Sequence, residues 1–223
     1  MSTLVVCPMR REMDALVQSW VALGYQSEPI QLGQLPAKRL PDLGIAAAVG
    51  GLGKVQFAVQ TAHLLKASGW DLVICAGAAG ALAQELAIGD IAIATATVEH
   101  DYGNKFNHRP LPRFDTDVDV VESFRSLRFE DRSFQMHFGV VASGDEDIVD
   151  KDRREELRCR LQAVAVAWEG AGGARACAFS DVPFVEIRGI TDRADDRAPA
   201  DFRANLNIAM ANLAALLASW SQA

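Results

Sequence analysis

The sequence has little of several things. It holds four cysteines, Cys7, Cys75, Cys159 and Cys177, and no two of them form a CxxC pair. That excludes a disulfide framework or a cysteine-rich metal site as the organising element. Cys7 and Cys75 lie inside apolar runs and read as buried, reduced thiols of a cytoplasmic protein. No stretch approaches the ~18 apolar residues of a membrane span, and the four apolar residues after Thr3 have no charged region before them and are too few for a secretory signal. Neither membrane insertion nor secretion is expected. Positive charge is scarce: 22 Lys and Arg face 29 Asp and Glu, for a net charge of -7 and a pI near 5.1. This opposes a general affinity for nucleic-acid phosphates, which depends on Lys and Arg releasing counterions, and leaves a small molecule as the expected partner. His100 stands beside Asp101, but His63 in a helical pattern and His137 in a strand pattern add no ligand spacing. No metal is expected.

What is present is an ordinary globular balance, 50% hydrophobic and 23% charged over 223 residues, within the range of one large domain spanning 1–223. Short apolar β-branched runs alternate with longer helical patterns, the mark of an α/β layer architecture. Strands are expected at Leu4–Cys7, Ile45–Val49, Asp71–Ala76, Asp90–Thr97, Met136–Ala142, Ala163–Ala167 and Pro183–Ile190, with shorter ones between Glu28 and Leu40. Helices are expected at Glu12–Leu23, at Lys54 to about Ser68 with Val55, Val59, Ala62 and Leu65 on one face, at Lys151–Leu161, at Glu169–Phe179, and over the closing segment, where Phe202, Leu206, Met210, Leu213, Leu217 and Trp220 recur at steps of three and four. The polar stretch between Glu99 and Asp117 reads as a long loop, a length usually given over to function.

Two glycine-rich segments suggest cofactor motifs, and neither completes one. Around Gly53-Lys54 the leading glycine of a phosphate loop is Ala48 and its Ser/Thr is Val55. In Gly77-Ala78-Ala79-Gly80 the leading glycine of a dinucleotide fingerprint is Cys75. No cofactor is expected. Two readings remain for both segments: tight strand-to-helix turns, or turns whose backbone amides, at Ala79 and Gly80 for instance, approach a ligand at the carboxyl ends of the strands.

Seven segments, in order, resemble the nucleoside phosphorylase/nucleosidase superfamily, and most closely its 5′-methylthioadenosine/S-adenosylhomocysteine nucleosidase branch. Pro8-Met9-Arg10-Arg11-Glu12-Met13 is similar to its Met-x-x-Glu turn, and Gly50-Gly51-Leu52-Gly53-Lys54-Val55 to its (S/G)GxGK segment. Ala76 to Leu82 resembles TGSAGGL, and Ile88-Gly89-Asp90-Ile91 resembles (I/V)GD(I/V). Ser143-Gly144-Asp145 matches SGD, Trp168-Glu169-Gly170-Ala171 resembles ME(G/A), and Arg188-Gly189-Ile190-Thr191-Asp192 resembles RxI(S/T)D. The resemblance implies a three-layer αβα sandwich around a mixed, partly barrel-like sheet, assembled as a homodimer or larger homo-oligomer. It implies a purine nucleosidase acting on a 5′-modified adenosine.

Breaking a ribosyl–purine bond requires protonation of the departing base, stabilisation of an oxocarbenium-like sugar, and a nucleophile on the opposite face. By resemblance Asp192 is the general acid, Glu169 holds the ribose hydroxyls and Glu12 activates water. The simpler account of each is an acid that complements a helix dipole. Phosphate-binding branches carry an arginine just before the glycine-rich turn, where this chain reads Val73-Ile74-Cys75-Ala76, so water is the favoured nucleophile. Arg10 and Arg11 keep a phosphate-dependent phosphorylase as the alternative, although exposed helix-start arginines explain that pair more simply. A nucleosidase for a futalosine-like or adenosyl-hopanoid nucleoside is a further alternative.

The chain departs from the family pattern at several places. Asp147 stands where an aromatic stacks on the purine, while Ile148 keeps the expected type. Asp147 can accept hydrogen bonds from a base edge or simply face solvent. Trp168 replaces a methionine under the ribose, Ala167 replaces an acid, and Ala78 lacks a serine hydroxyl that orients the catalytic aspartate, a task open to Thr191. The loop from His100 to Arg109 falls where the family shapes its 5′-substituent pocket or reaches a neighbouring subunit, and Tyr102 is its candidate contact with substrate.

Overall fold

The computed structural model describes residues 2–103, 105–107, 109–128 and 133–223. Asn104 and His108 of the polar loop lie outside them. The first half of the chain runs β1 (Thr3–Cys7), α1 (Arg10–Ala22), β2 (Glu28–Leu32), β3 (Leu35–Leu40), β4 (Ile45–Val49), α2 (Lys54–Leu65), β5 (Leu72–Ala81) and β6 (Ile91–Glu99). It continues β7 (Arg113–Asp115), α3 (Val118–Arg125), β8 (Met136–Ser143), α4 (Lys151–Leu161), β9 (Ala163–Ala167), α5 (Gly170–Phe179), β10 (Phe184–Asp192) and α6 (Ala198–Ser221).

The strands form one mixed sheet in the order β10-β6-β8-β9-β5-β1-β4-β3-β2, with β7 on β6. β10 also pairs with β5, and that second pairing closes β5, β9, β8, β6 and β10 into a five-stranded barrel. β1, β4 and β5 extend from it as a parallel layer covered on both faces. Leu4, Val6, Val73 and Cys75 point towards α2 and α5, where Phe57, Leu64 and Cys177 meet them. Val5, Cys7, Leu72 and Ile74 point the other way, into a core built with Leu16 and Trp20 of α1, Phe124 of α3 and Met210, Leu213 and Leu217 of α6. A strand buried on both faces has no polar side to show, which is why these runs are continuously apolar. The three-layer sandwich with a partly closed mixed sheet matches the sequence reading. Among the described residues no helix is long and apolar enough to cross a membrane.

Several local expectations are corrected. Gly77-Ala78-Ala79-Gly80 is no turn: β5 continues through it to Ala81, pairing with β10 so that Gly77 faces Arg188 and Gly80 faces Asp192. The small residues make room for charged side chains of neighbouring elements, since a Cβ on Gly77 would sit 2.9 Å from both the Arg188 guanidinium and Glu12 Oε1. The buried face of α2 is Phe57, Thr61 and Leu64, whereas Val55 and Val59 are 76% and 65% exposed. The apolar stripe chosen from spacing is the outer one. β7 interrupts the long loop, and α3 forms in a segment given no helix, started by the Asp117 side chain accepting from the Asp119 N–H.

Candidate active site

A cleft of about 410 Å³ opens at the carboxyl ends of β1, β5, β9 and β10. Glu12 enters it from the first turn of α1. Its Oε2 accepts the Met9 N–H at 2.9 Å and its Oε1 the Ala78 N–H at 2.8 Å, so the carboxylate links the start of the helix to β5. Burial pushes the Glu12 carboxyl up to about 7, with Glu169 adding to the rise and the Ala78 N–H and Arg188 restraining it.

Glu169 follows β9 directly. Ser143 at the end of β8 fixes this corner: its hydroxyl donates to the Trp168 carbonyl at 2.7 Å and accepts the Ala171 N–H at 2.9 Å. Glu169 Oε1 accepts from the Gly53 N–H at 3.3 Å, tying in the loop after β4, and Oε2 lies 3.4 Å from Arg188. Burial raises the proton affinity of Glu169 as well.

Arg188 sits under both acids. It is 1% exposed, with Nε 2.8 Å from Glu186 Oε1 and a guanidinium N–H 3.4 Å from the Ala78 carbonyl. Thr97 donates to the other Glu186 oxygen at 2.7 Å. Burial opposes the Arg188 charge, but Cys75, Glu186, Glu169 and Glu12 around it outweigh that effect and the side chain stays protonated. The group is a buried network in which one cation is shared among several carboxylates.

Asp192 ends β10. The Thr191 hydroxyl donates to Oδ2 at 2.8 Å and the Ala194 N–H to Oδ1 at 2.9 Å, while Gly80 leaves the space the carboxylate occupies. Burial raises its pKa above the ordinary aspartate value, and the two hydrogen bonds hold it down. Beside it Ile148, Val166 and Ala194 form an apolar wall. Asp147 stands exposed on the rim, and Ala79, Gly80, Ala167 and Trp168 complete this side. Met9, Arg11, Leu52, Phe202 and Arg203 line the cleft's more exposed side, and Pro8 lies buried against Gly77.

The structure therefore brings Glu12, Glu169, Trp168, Ala79, Gly80, Asp147, Ile148, Thr191 and Asp192 to one cleft. Thr191 reaches it fully buried, with its hydroxyl turned to Asp192. Tyr102 lies apart, half exposed beside the Arg175 guanidinium. Asp192 belongs to the strand and not to the turn after it. Arg10 and Arg11 are both exposed at the start of α1, and Arg11 also lines the cleft. Lys54 pairs with Glu99 at 3.0 Å and with Asp101, which occupies its charge. Sequence reasoning missed the part played by Arg188, although Glu186-x-Arg188 between apolar neighbours in a strand is a pattern that buries two charges on one face. The spacing along α6 places Phe202 only on its core face, and the residue lines the cleft as well.

Residues 2–220 match the model of the Phosphorylase superfamily. The aminodeoxyfutalosine nucleosidase of Helicobacter pylori strain ATCC 700392 / 26695 is 34% identical over 169 residues, 73% of each chain. The 5′-methylthioadenosine/S-adenosylhomocysteine nucleosidase of Tolumonas auensis is 31% identical over 175 residues, 75% of this chain and 76% of that one. The crystal structure of the Helicobacter pylori 5′-methylthioadenosine/S-adenosylhomocysteine nucleosidase, complexed with an aminopyrrolopyrimidine-bearing pyrrolidinol, superposes with a TM-score of 0.88 at 28% identity, covering 100% of this chain and 98% of that one.

Proposed function

The chain belongs to the Phosphorylase superfamily, and from that premise we propose that it is a purine nucleosidase hydrolysing the N-glycosidic bond of a 5′-modified adenosine. The observation that carries the reading is the convergence of three buried carboxyl groups of raised proton affinity, Glu12, Glu169 and Asp192, on one cleft. An acid that keeps its proton and a base poised near neutrality are what this reaction requires.

The steps follow from their placement. The purine lies against Ile148, Val166 and Ala194, and protonated Asp192 donates to purine N7. The C1′–N9 bond electrons pass to the base as it leaves. Positive charge develops on the ribosyl ring, where Glu169 accepts hydrogen bonds from the 2′- and 3′-hydroxyls and its negative charge favours the oxocarbenium. Water attacks C1′ from the opposite face, and ionised Glu12 takes its proton. The products are free base and free sugar.

Electrostatics favour water over phosphate. Glu12 and Glu169 flank the nucleophile's position, and Arg188, the buried cation there, is already shared with Glu186. A phosphate dianion would add charge to an anionic, desolvated site. Relatives named for 5′-methylthioadenosine/S-adenosylhomocysteine and for aminodeoxyfutalosine support the 5′-modified adenosine class; a substrate of the 5′-methylthioadenosine type would give the chain a place in methionine salvage.

The protein acts as one domain over 1–223 and as a homodimer. Exposed Val55 and Val59 on α2 adjoin Leu52 and, through the Lys54–Asp101 pair, Tyr102, giving an apolar surface beside the cleft mouth that a second copy would cover. The buried thiols Cys7, Cys75 and Cys177 suit the cytoplasm. The test is product identity: with 5′-methylthioadenosine and inorganic phosphate supplied together, the sugar product should be free 5-methylthioribose, and its 1-phosphate would contradict hydrolysis.

A further inference from the structure

Glu186 is a carboxylate buried away from the cleft. It is fully buried on β10 and does not line the site, whereas Arg188, two residues on and on the same face of the strand, does. The fold makes room for it: a Cβ on Gly170, the first residue of α5, would sit 1.9 Å from Glu186 Oε2. Thr97 of β6 donates to that same oxygen at 2.7 Å, and Arg188 Nε donates to the other at 2.8 Å. Cys75 of β5 and Glu169 also face it. Taking a carboxylate out of water is costly, and an apolar side chain would fill this space without that cost.

The contact with Glu186 is the shortest that Arg188 makes. Its other N–H groups lie 3.3 Å from Cys75 Sγ and 3.4 Å from the Ala78 carbonyl and from Glu169 Oε2. Arg188 and Glu12 both border the space that Gly77 leaves, each 2.9 Å from where a Cβ would be. Yet Arg188 forms its ion pairs with Glu186 and Glu169 and not with Glu12. The titratable and charged groups that face Glu12 are Cys7 of β1, Glu169 past β9 and Arg188 of β10, with the Ala78 N–H of β5. Arg188 is the one cation among them. With no counter-charge of its own, a guanidinium in so dry a site would hold a neighbouring carboxylate ionised too firmly for it to accept a proton.

We propose that Glu186 is a positioning residue for the hydrolysis: from behind the cleft it anchors Arg188 through Nε and offsets its charge, so that Glu12 can take the proton of the attacking water. The proposal rests on the nucleosidase reading, which makes Glu12 the base. Burial raises the Glu12 carboxyl and Arg188 restrains that rise. Without the charge on Glu186 the restraint grows, and Glu12 becomes a weaker base.

The test is Glu186→Gln, which keeps the size of the side chain. Its amide oxygen can accept from Arg188 Nε and its NH2 can donate to the Thr97 hydroxyl, so the hydrogen bonds survive and the charge does not. The midpoint of the Glu12 carboxyl, read by carbon NMR of carboxyl-labelled glutamate, should fall by about one pH unit, the lower range for a carboxylate beside an arginine. At pH 8 Glu12 is mostly ionised in both proteins. There kcat for 5′-methylthioadenosine without phosphate should fall about threefold or more, as a weaker base requires, with KM within about twofold of wild type. Glu186→Asp, which keeps the charge and draws it back by one methylene, should move the midpoint in the same direction by less, and it decides the matter if Glu186→Gln does not fold. A Glu12 midpoint that stays at the wild-type value or rises overturns the proposal, because a purely structural role would not lower it. So does a lowered midpoint with kcat undiminished. If the wild type releases no base, the nucleosidase reading fails, and the Glu12 midpoint in the same proteins still decides whether Glu186 governs that carboxyl through Arg188.

Discussion

The Thr191 hydroxyl lies 2.8 Å from Asp192 Oδ2, and both residues end the same strand. It fills the role of a donor that Ala78, on the facing strand, has no hydroxyl to play. Thr191→Val keeps the shape and removes the hydrogen bond, a loss of about 1–2 kcal/mol of orientation. kcat should fall about tenfold with KM nearly unchanged, and Thr191→Ser should restore it. The hydroxyl stabilises the ionised carboxylate, so in Thr191→Val whichever limb of the pH–rate profile belongs to Asp192 moves to higher pH. A variant with altered stability and an unmoved profile would show a structural role alone.

Glu12 should titrate far from an ordinary glutamate. Its pKa in the folded protein is raised from 4.5 to about 7, so the carboxyl holds its proton at pH 6 and has mostly lost it by pH 8. With carboxyl-labelled glutamate, carbon NMR should show a resonance with a midpoint near 7 that is missing from Glu12→Gln. A protein in which every glutamate titrates near 4.5 would remove the basis for a base poised at neutrality.

Arg188→Met should be costly to the fold. It strips the cation from Glu186, which is fully buried, and from Glu169, which is buried at the wall of the cleft. Breaking a buried pair in this way costs about 3–5 kcal/mol, readable as a lower midpoint in urea at neutral pH. Because the stranded carboxyls can neutralise by taking up protons, the deficit should shrink as pH falls towards 5. A deficit independent of pH would point to lost packing instead.

The exposed valines of α2 test the assembly. The wild type should sediment at twice its 24.1 kDa, and Val55→Asp/Val59→Asp should sediment as a monomer of unchanged helical content. A monomeric wild type, or a double variant that stays dimeric, would remove α2 from the interface.

Much of this architecture was legible because local pattern and tertiary structure agree. α4 and β9 fall at the residues expected from pattern, and Asp192 at a strand end, Glu169 just past one and Glu12 in the helix turn that follows β1 stand where an open α/β layer gathers its chemistry. The misreadings share a cause, which is that periodicity cannot report what a surface packs against. Gly77–Gly80 reads as a turn by composition, but it is strand because β10 closes the barrel on it and requires the missing side chains. Two apolar stripes run along α2, and only the sheet decides that Phe57 and Leu64 face inward while Val55 and Val59 do not. Arg188 is invisible as a hub in one dimension because its carboxylate partners, apart from Glu186 two residues away, come from distant parts of the chain.

Asp192 protonates the leaving purine in this mechanism, and a single substitution isolates that step. Asn keeps the size of the side chain, can still accept the Ala194 N–H through its one oxygen and can turn its NH2 to donate to the Thr191 hydroxyl, but it has no acidic proton to give. Adenine release from 5′-methylthioadenosine without phosphate should proceed in the wild type and fall by at least about 100-fold in Asp192→Asn, the lower range for a lost general acid, with calorimetry showing that the variant still binds the nucleoside. Release by Asp192→Asn at a rate close to wild type would contradict the account.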